Sequence, residues 1–181
     1  MKTFREYLIE NNTIEDIFSL NKRLNKYKYG SPFDSNLNDK NSKDLYKSLS
    51  MKDIDKFGMG TCWDFTHYYC KKYKGNSTAI FMAYFDNESG DCLKSHTIPI
   101  ININGKYYWP ESAWGKYMGV QEYNSKEACI KDAIKKWRQS EKQPKNSVFK
   151  VYEYDGSDPS LVHKSAHTFM KNIIYKIGKE L

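Results

Sequence analysis

The segment GTCWDFTHYYCKKYKG, residues 60–75 of this 181-residue chain, carries the signals of one complete helix. A glycine and Thr61 precede its apolar run, Lys71 and Lys72 lie near its end, and a further glycine closes it. These are ordinary signals of a helix start and a helix end, with cations at the negative end of the helix dipole. The sequence therefore predicts a helix that begins near Cys62.

After this helix the pattern changes to short runs rich in β-branched and aromatic residues, which are typical of strands. The runs cover residues 78–85, 95–103, 106–111 and 147–154. Only Asn104-Gly105 separates the second run from the third, and Asn-Gly is the strongest two-residue signal for a hairpin. We therefore expect an antiparallel sheet.

Further helices are expected before and after these strands. Thr13 and the pattern Ser50-x-x-Asp53 predict two short helices with capping boxes. Residues 125–139 have the spacing of an amphipathic helix, and Asp158-Pro159 is a predicted start of the last helix. Helices followed by a strand meander, and then by helix, strand and helix, indicate the α+β class.

The length of 181 residues and the hydrophobic content of 39% suit one globular domain, residues 1–181. We divide the domain into a helical arm and loop at 1–49, a central segment at 50–125, and a helix-strand-helix completion at 126–181. The loop is the stretch 30–45, rich in Gly, Pro, Ser, Asn and Asp.

Composition excludes several classes of function. Charged side chains throughout the first twenty residues argue against a signal peptide, and no uncharged run has the length of a membrane span. The net charge of +7 comes mostly from scattered lysines, without a basic arm or a nucleic-acid reader motif, so nucleic acid is not an indicated partner. Four cysteines without C-x-x-C spacing fit free thiols in the cytoplasm. The oligomeric state stays open.

Cys62 is the candidate nucleophile. In the first turn of a helix, unpaired backbone N–H groups and the positive end of the dipole favour a thiolate over a thiol. The alternative is a small buried hydrophobe, the usual role of a free cysteine. Cys70 and Cys129 fit that alternative because they lie on or beside apolar stripes, and Cys92 lies in a polar turn.

A thiolate nucleophile needs a base, and the predicted hairpin supplies one. With a two-residue turn, Ile103 faces Lys106, and counting outward places His96 opposite Ala113. Glu111 is two residues from Ala113, so it projects from the same face as His96 as a diagonal neighbour. Such a carboxylate orients the imidazole and stabilises the imidazolium. The alternative is a histidine at a strand end that is hydrogen-bonded in a loop.

Three motifs occur in this order along the chain: G-x-C-W-D-F at 60–65, Ser-His-Thr at 95–97 and Trp-Pro-Glu at 109–111. Their order resembles the transglutaminase-like branch of the papain-like cysteine enzymes, over roughly residues 50–125. The likeness extends to small bacterial members in which the hairpin is followed by an aromatic, lysine-rich segment such as residues 111–117.

The resemblance implies a fold in which N-terminal helices, with the catalytic cysteine at a helix start, pack on an antiparallel sheet. It also implies a catalytic triad of Cys62, His96 and Glu111. Two features depart from the family pattern. The acid is Glu rather than the commoner Asp, and no upstream Gln or Trp is assigned to the oxyanion hole.

We expect a cysteine-dependent acyl transfer on a peptide or glutamine amide, in which Cys62 attacks, His96 moves the proton and Glu111 orients His96. Hydrolysis is favoured because water needs no second binding site, but deamidation and cross-linking use the same residues. No cofactor or metal is expected, because the mechanism needs none and no calcium loop is present.

Aromatic side chains are predicted to bind a protein or peptide substrate in a cleft, although core packing is an equally good explanation for most of them. They are Trp63, Trp109, Trp114 and Tyr117. The rival hypothesis is a non-catalytic module on the same fold that binds a protein or a nucleic acid.

Three other polar residues are weaker candidates. His163 and His167 are four residues apart on the predicted last helix, but the acidic partner of a metal motif is missing. His67 is rotated by about 140° from Cys62 around the helix and is not expected to be its base. Asp64 is expected to complement the helix N-terminus.

Overall fold

A six-stranded antiparallel sheet lies at the centre of the computed structural model, which describes residues 13–32 and 47–181. The first twelve residues and most of the loop predicted at 30–45 lie outside the described residues. The helices are α1 (Ile14–Leu24), α2 (Met51–Phe57), α3 (Cys62–Lys72), α4 (Lys126–Ser140) and α5 (Ala166–Asn172). The α+β class predicted from the sequence is confirmed.

The strands are β1 (Lys28–Tyr29), β2 (Met59–Gly60), β3 (Ser77–Asp86), β4 (Cys92–Ile103), β5 (Lys106–Glu111), β6 (Gly119–Tyr123), β7 (Ser147–Tyr154) and β8 (Lys179–Glu180). The sheet has the order β6-β5-β4-β3-β7-β8, and every neighbouring pair is antiparallel. A separate parallel bridge joins β1 to β2. Sequence analysis missed β6, which has only five residues and lies at the edge of the sheet.

The β4–β5 hairpin has the expected register. Ile103 pairs with Lys106, and both turn residues, Asn104 and Gly105, have positive φ, as a type I′ turn requires. The ladder extends to the pair of residues 101 and 108. In the same register Pro99 would face Pro110, and neither proline has an N–H to donate. This explains why the ladder ends before it reaches His96 and Glu111.

Strand β3 packs against helices on both faces of the sheet. Phe81 and every second residue on either side of it in β3 lie in a cluster with Trp63 of α3 and Phe169 of α5. Met82 and the residues two positions before and after it in β3 point to the other face and lie in a second cluster with Trp137 of α4. Because successive side chains of a strand point to opposite faces, a strand covered on both sides reads as a continuous apolar run.

The two N-terminal helices begin at the predicted caps. Thr13 and Asp16 form a capping box on α1, and Ser50 and Asp53 form another on α2. The buried residues of α1 pack against tyrosines of α3 and against Tyr108 of β5. Helix α1 therefore packs against both α3 and β5.

The last helix starts later than predicted, and after Asn172 it continues as a π-helical segment, Ile173–Ile177. Residues 159–161 form only one 3₁₀ turn, and α5 starts at Ala166 after His163, which has φ of 58°. Ser48 diverts the chain here: its carbonyl accepts from the N–H of His163 at 2.9 Å, and its hydroxyl accepts from that of Lys164 at 3.0 Å. His163 therefore precedes the helix that carries His167, and the two do not form an i, i+4 pair on one helix.

None of the helices formed by residues 13–32 and 47–181 combines the length and the apolar character that crossing a membrane requires.

Candidate active site

Helix α3 begins at Cys62, as predicted, and a buried carboxylate holds its first turn. Asp64 accepts hydrogen bonds from the Thr61 N–H at 2.8 Å, from the Thr61 hydroxyl at 2.9 Å and from the Leu49 N–H at 2.7 Å. An acidic group at this position complements the positive end of the helix dipole. Asp64 therefore fixes the backbone from which the Cys62 side chain, itself 6% exposed, projects.

A buried hydrogen bond attaches α3 to the strand that carries the candidate base. The Thr66 hydroxyl donates to the carbonyl oxygen of Thr97 at 3.0 Å. His96 is the residue before Thr97, and Cys62 lies near enough to its ring to raise the pKa of the imidazole. The helix start and the strand therefore bring the two candidate catalytic groups together.

Glu111 is buried, and both of its carboxylate oxygens are hydrogen-bonded. Oε2 lies 2.9 Å from His96 Nε2 and accepts from Trp109 Nε1 at 3.2 Å. Oε1 accepts from the backbone N–H groups of Ala113 at 2.7 Å and Trp114 at 3.0 Å. The predicted His96–Glu111 neighbours are in contact, and because Nε2 faces the acid, Nδ1 is the ring nitrogen left for Cys62.

This environment favours an ion pair between His96 and Glu111. Burial alone would lower the pKa of His96, but the Glu111 carboxylate and Cys62 outweigh burial and raise that pKa to about 10. Burial also opposes ionisation of Glu111, yet His96 and the N–H groups of Ala113 and Trp114 hold its pKa below the ordinary value. At neutral pH the site therefore holds an imidazolium between Glu111 and the sulfur of Cys62.

A polar network under the acid fixes its backbone. Asn21 of α1 directs its Nδ2 at the carbonyl oxygen of Glu111, at 2.9 Å, and at the hydroxyls of Tyr69 and Ser112, both at 3.1 Å. Those two hydroxyls are also hydrogen-bonded to each other, at 3.0 Å. Sequence analysis missed Asn21, because it lies 90 residues from Glu111 and no local pattern connects them.

A cleft of about 560 Å³ opens beside His96. It is lined by Tyr29, Lys94, Ser95, His96, Ala113, Trp114, Trp137 and Glu141. The Trp114 ring lies 5.2 Å from the His96 ring, and Tyr117 packs edge-on against Trp114 at 4.4 Å. Lys94 and Glu141 form an ion pair at 3.0 Å, so their opposite charges are balanced at the cleft.

Two of the predicted substrate-binding aromatics lie elsewhere. Trp63 is packed in the core, where its ring stacks on Phe169 at 4.3 Å. Trp109 is completely buried and does not line the cleft; its Nε1 donates a hydrogen bond to Glu111. Core packing, the alternative explanation, accounts for both positions. Trp114 lines the cleft and Tyr117 supports it.

Tyr29 is a residue of the cleft that sequence analysis missed. Its hydroxyl lies 4.0 Å from Cys62 Sγ, although the two residues are 33 positions apart. The negative charge of Cys62 and the desolvation of the hydroxyl raise the pKa of Tyr29 above its ordinary value. The phenol therefore stays protonated and remains a hydrogen-bond donor.

The remaining buried thiols and the histidine of α3 belong to the core. Burial raises the pKa of Cys70 and of Cys129 to about 12 each, which suits inert thiols. Burial lowers the pKa of His67 to about 3, and its Nε2 lies 3.3 Å from the Tyr154 hydroxyl. His67 is therefore neutral and not paired with Cys62.

Comparisons with known proteins add no identification. No model of a known protein family matches the chain, and a search of the curated proteins returns no significant match. Within residues 13–32 and 47–181, no group of three or more His, Cys, Asp or Glu side chains could hold a metal ion.

Proposed function

We propose that this protein is a transglutaminase-like cysteine enzyme that transfers an acyl group from a peptide or glutamine amide of a protein substrate. The observation that carries the proposal is the buried pair of His96 and Glu111, 2.9 Å apart, next to a cysteine in the first turn of a helix. A purely structural histidine needs neither the carboxylate nor the thiol. Nucleophile, base and orienting group in contact are the signature of an activated thiol.

In the proposed reaction, the Cys62 thiolate attacks the amide carbon, so that a C–S bond forms and the carbonyl electron pair moves to oxygen. The intermediate collapses as the C–N bond breaks and the imidazolium of His96 gives its proton to the leaving nitrogen. Neutral His96 then takes a proton from water, which attacks the thioester. This proton transfer restores the imidazolium, and the second intermediate collapses as the C–S bond breaks, which releases the carboxylic acid and the Cys62 thiolate.

Hydrolysis is the favoured outcome, because the acyl-enzyme needs only water to react. Peptide cleavage, deamidation of glutamine and cross-linking to an amine share every step up to the thioester. An intracellular setting fits the chemistry, because all four cysteines are free and the nucleophile must stay reduced.

The first test is selective alkylation by limiting iodoacetamide at about pH 6, followed by peptide mass spectrometry. A thiolate paired with an imidazolium at a helix start reacts at this pH, whereas an ordinary thiol is protonated. We expect Cys62 to be labelled before Cys70, Cys92 and Cys129, and His96→Ala to remove the preference. Repeating the experiment at alkaline pH separates activation from accessibility, because accessibility does not change as a thiol titrates.

The second test is acylation by p-nitrophenyl acetate, followed by intact mass and peptide mapping. We expect one acetyl group on Cys62 of the wild-type protein, none on that residue in Cys62→Ala, and wild-type behaviour in the matched control Cys92→Ala. If the wild-type protein is acetylated no faster than Cys62→Ala, the enzyme proposal is wrong and the binding module becomes the better hypothesis. Ammonia release from a glutamine-containing protein, new amino termini and amine incorporation then distinguish deamidation, cleavage and cross-linking.

A further inference from the structure

Tyr29 combines an exposed ring with a hydroxyl directed at the nucleophile. Its side chain is 57% exposed and lines the cleft together with His96, yet its hydroxyl is only 4.0 Å from Cys62 Sγ. An exposed tyrosine without a role would direct its hydroxyl to water. The position therefore points to a group that meets the substrate where bond formation takes place.

The backbone on both sides of Tyr29 is held against the turn that leads to Cys62. The N–H of Lys28 donates to the Gly58 carbonyl at 2.9 Å, and the N–H of Gly30 donates to the Gly60 carbonyl at 3.0 Å. A Cβ at Gly60 would lie 3.0 Å from the Phe65 ring and 3.1 Å from Asp64 Cβ, so glycine lets this turn pack closely on the start of α3. Strand β1 therefore presents Tyr29 from a fixed position although its ring is exposed.

We propose that the Tyr29 hydroxyl is a donor of the oxyanion hole, a role that rests on the proposed acyl transfer. As the C–S bond forms, the electron pair of the carbonyl moves to its oxygen, and a donor is needed 2.7–3.1 Å from that oxygen. The hydroxyl lies 4.0 Å from the sulfur and belongs to a residue that lines the cleft, so a carbonyl oxygen bound beside Cys62 would lie within its reach. It donates a hydrogen bond and transfers no proton.

The alternative role of general base does not fit the same group. A tyrosine that removes a proton must first lose its own, and the charge of Cys62 raises the pKa of Tyr29 rather than lowering it. His96 already supplies the proton transfer. The hydroxyl thus serves as a neutral donor, directed at the sulfur in the resting site and at the oxyanion during reaction.

The test compares two reagents on Tyr29→Phe, which keeps the ring and removes only the hydroxyl. Acetylation by p-nitrophenyl acetate passes through an oxyanion, whereas alkylation by iodoacetamide does not. We expect the rate of Cys62 acetylation to fall by about 10²-fold, the usual effect of losing one oxyanion donor. Alkylation at the same pH, which measures the thiolate alone, should change by less than about threefold.

The matched control is Tyr27→Phe, because the Tyr27 hydroxyl contacts Asp55 at 3.1 Å. It should leave both rates unchanged, and equal melting temperatures should confirm that both variants fold. If Tyr29→Phe is acetylated at the wild-type rate, or if both reactions slow equally, the oxyanion role is overturned while the acyl-transfer proposal stands. If wild-type protein and Cys62→Ala are acetylated alike, the proposed function itself fails.

Discussion

His96 and His67 are both buried, but their surroundings shift the pKa of the two imidazoles in opposite directions. His96 has a carboxylate on one ring nitrogen and a thiol near the other, and these partners raise its pKa to about 10. His67 has a tyrosine hydroxyl and the Phe169 ring beside it, and burial lowers its pKa to about 3. Burial by itself therefore does not set the charge of an imidazole; a buried anion does.

We expect the His96 imidazole to titrate near pH 10, and to titrate at lower pH in Glu111→Gln, because the amide removes the negative partner. NMR titration of the ring carbons of both histidines measures this, with His67 as an internal control that stays neutral above about pH 5. A wild-type His96 that titrates at its ordinary value would contradict the ion pair.

The same pKa shift makes stability depend on pH with a definite sign. A histidine whose pKa is raised in the folded state binds its proton more tightly there than in the unfolded chain. Its contribution to the free energy of unfolding is therefore fully present below pH of about 6.5, the ordinary value, and is lost as pH rises through about 10.

At the scale of single elements, helix α1 supports the site from outside the central segment of the chain. Asn21 on its buried face contacts the carbonyl of Glu111 and two hydroxyls that also bond to each other. A helix that packs through apolar side chains alone would leave that carbonyl and those hydroxyls without this donor. Helix α1 therefore also holds the backbone of Glu111 in position.

Asn21→Ala should lower the free energy of unfolding by about 1–3 kcal/mol, the usual cost of leaving buried polar groups without their donor. Urea unfolding measures the difference. Lys22→Ala, an exposed neighbour on the same helix, is the control and should lie within about 0.5 kcal/mol of the wild-type protein. An Asn21→Ala variant as stable as this control would show that the network contributes nothing to the fold.

At the scale of the whole molecule, the sheet separates two helical layers, and the candidate site with its cleft takes residues from both. Helix α3 supplies Cys62, strands β4 and β5 supply His96 and Glu111, and α4 supplies Trp137 to the cleft wall. Trp137 is 2% exposed, and its ring lies 4.8 Å from that of Tyr84 of β3. The residue that shapes one side of the cleft is thus also an anchor of α4 on the sheet.

We expect Trp137→Ala to destabilise the protein by about 3–5 kcal/mol, because removing a large buried aromatic leaves a cavity as well as losing apolar burial. Thermal or urea unfolding measures the effect, with the exposed Lys135→Ala on the same helix as the control. Trp137→Phe should recover much of the loss. A loss below about 1 kcal/mol in Trp137→Ala would mean that α4 is held by other contacts.

The local features of this protein follow from short patterns in its sequence. The α+β class, the caps at Thr13 and Ser50, the start of α3 at Cys62 and the register of the hairpin could all be predicted. Periodicity, capping and turn chemistry depend on residues a few positions apart, so a linear pattern contains them. The hairpin register in turn is sufficient to predict that His96 and Glu111 are neighbours.

The residues that surround that pair come together only through tertiary packing. Tyr29 contacts Cys62 from 33 positions away in the chain, and Asn21 contacts Glu111 from 90 positions away. Ser48 bonds to the backbone before the last helix from 115 positions or more away. No local pattern in the sequence encodes these contacts. Trp109 and Trp114 belong to the same short stretch, yet one is completely buried behind Glu111 and the other lines the cleft. Their difference arises because burial depends on what packs against a side chain, and the packing partners come from distant parts of the sequence.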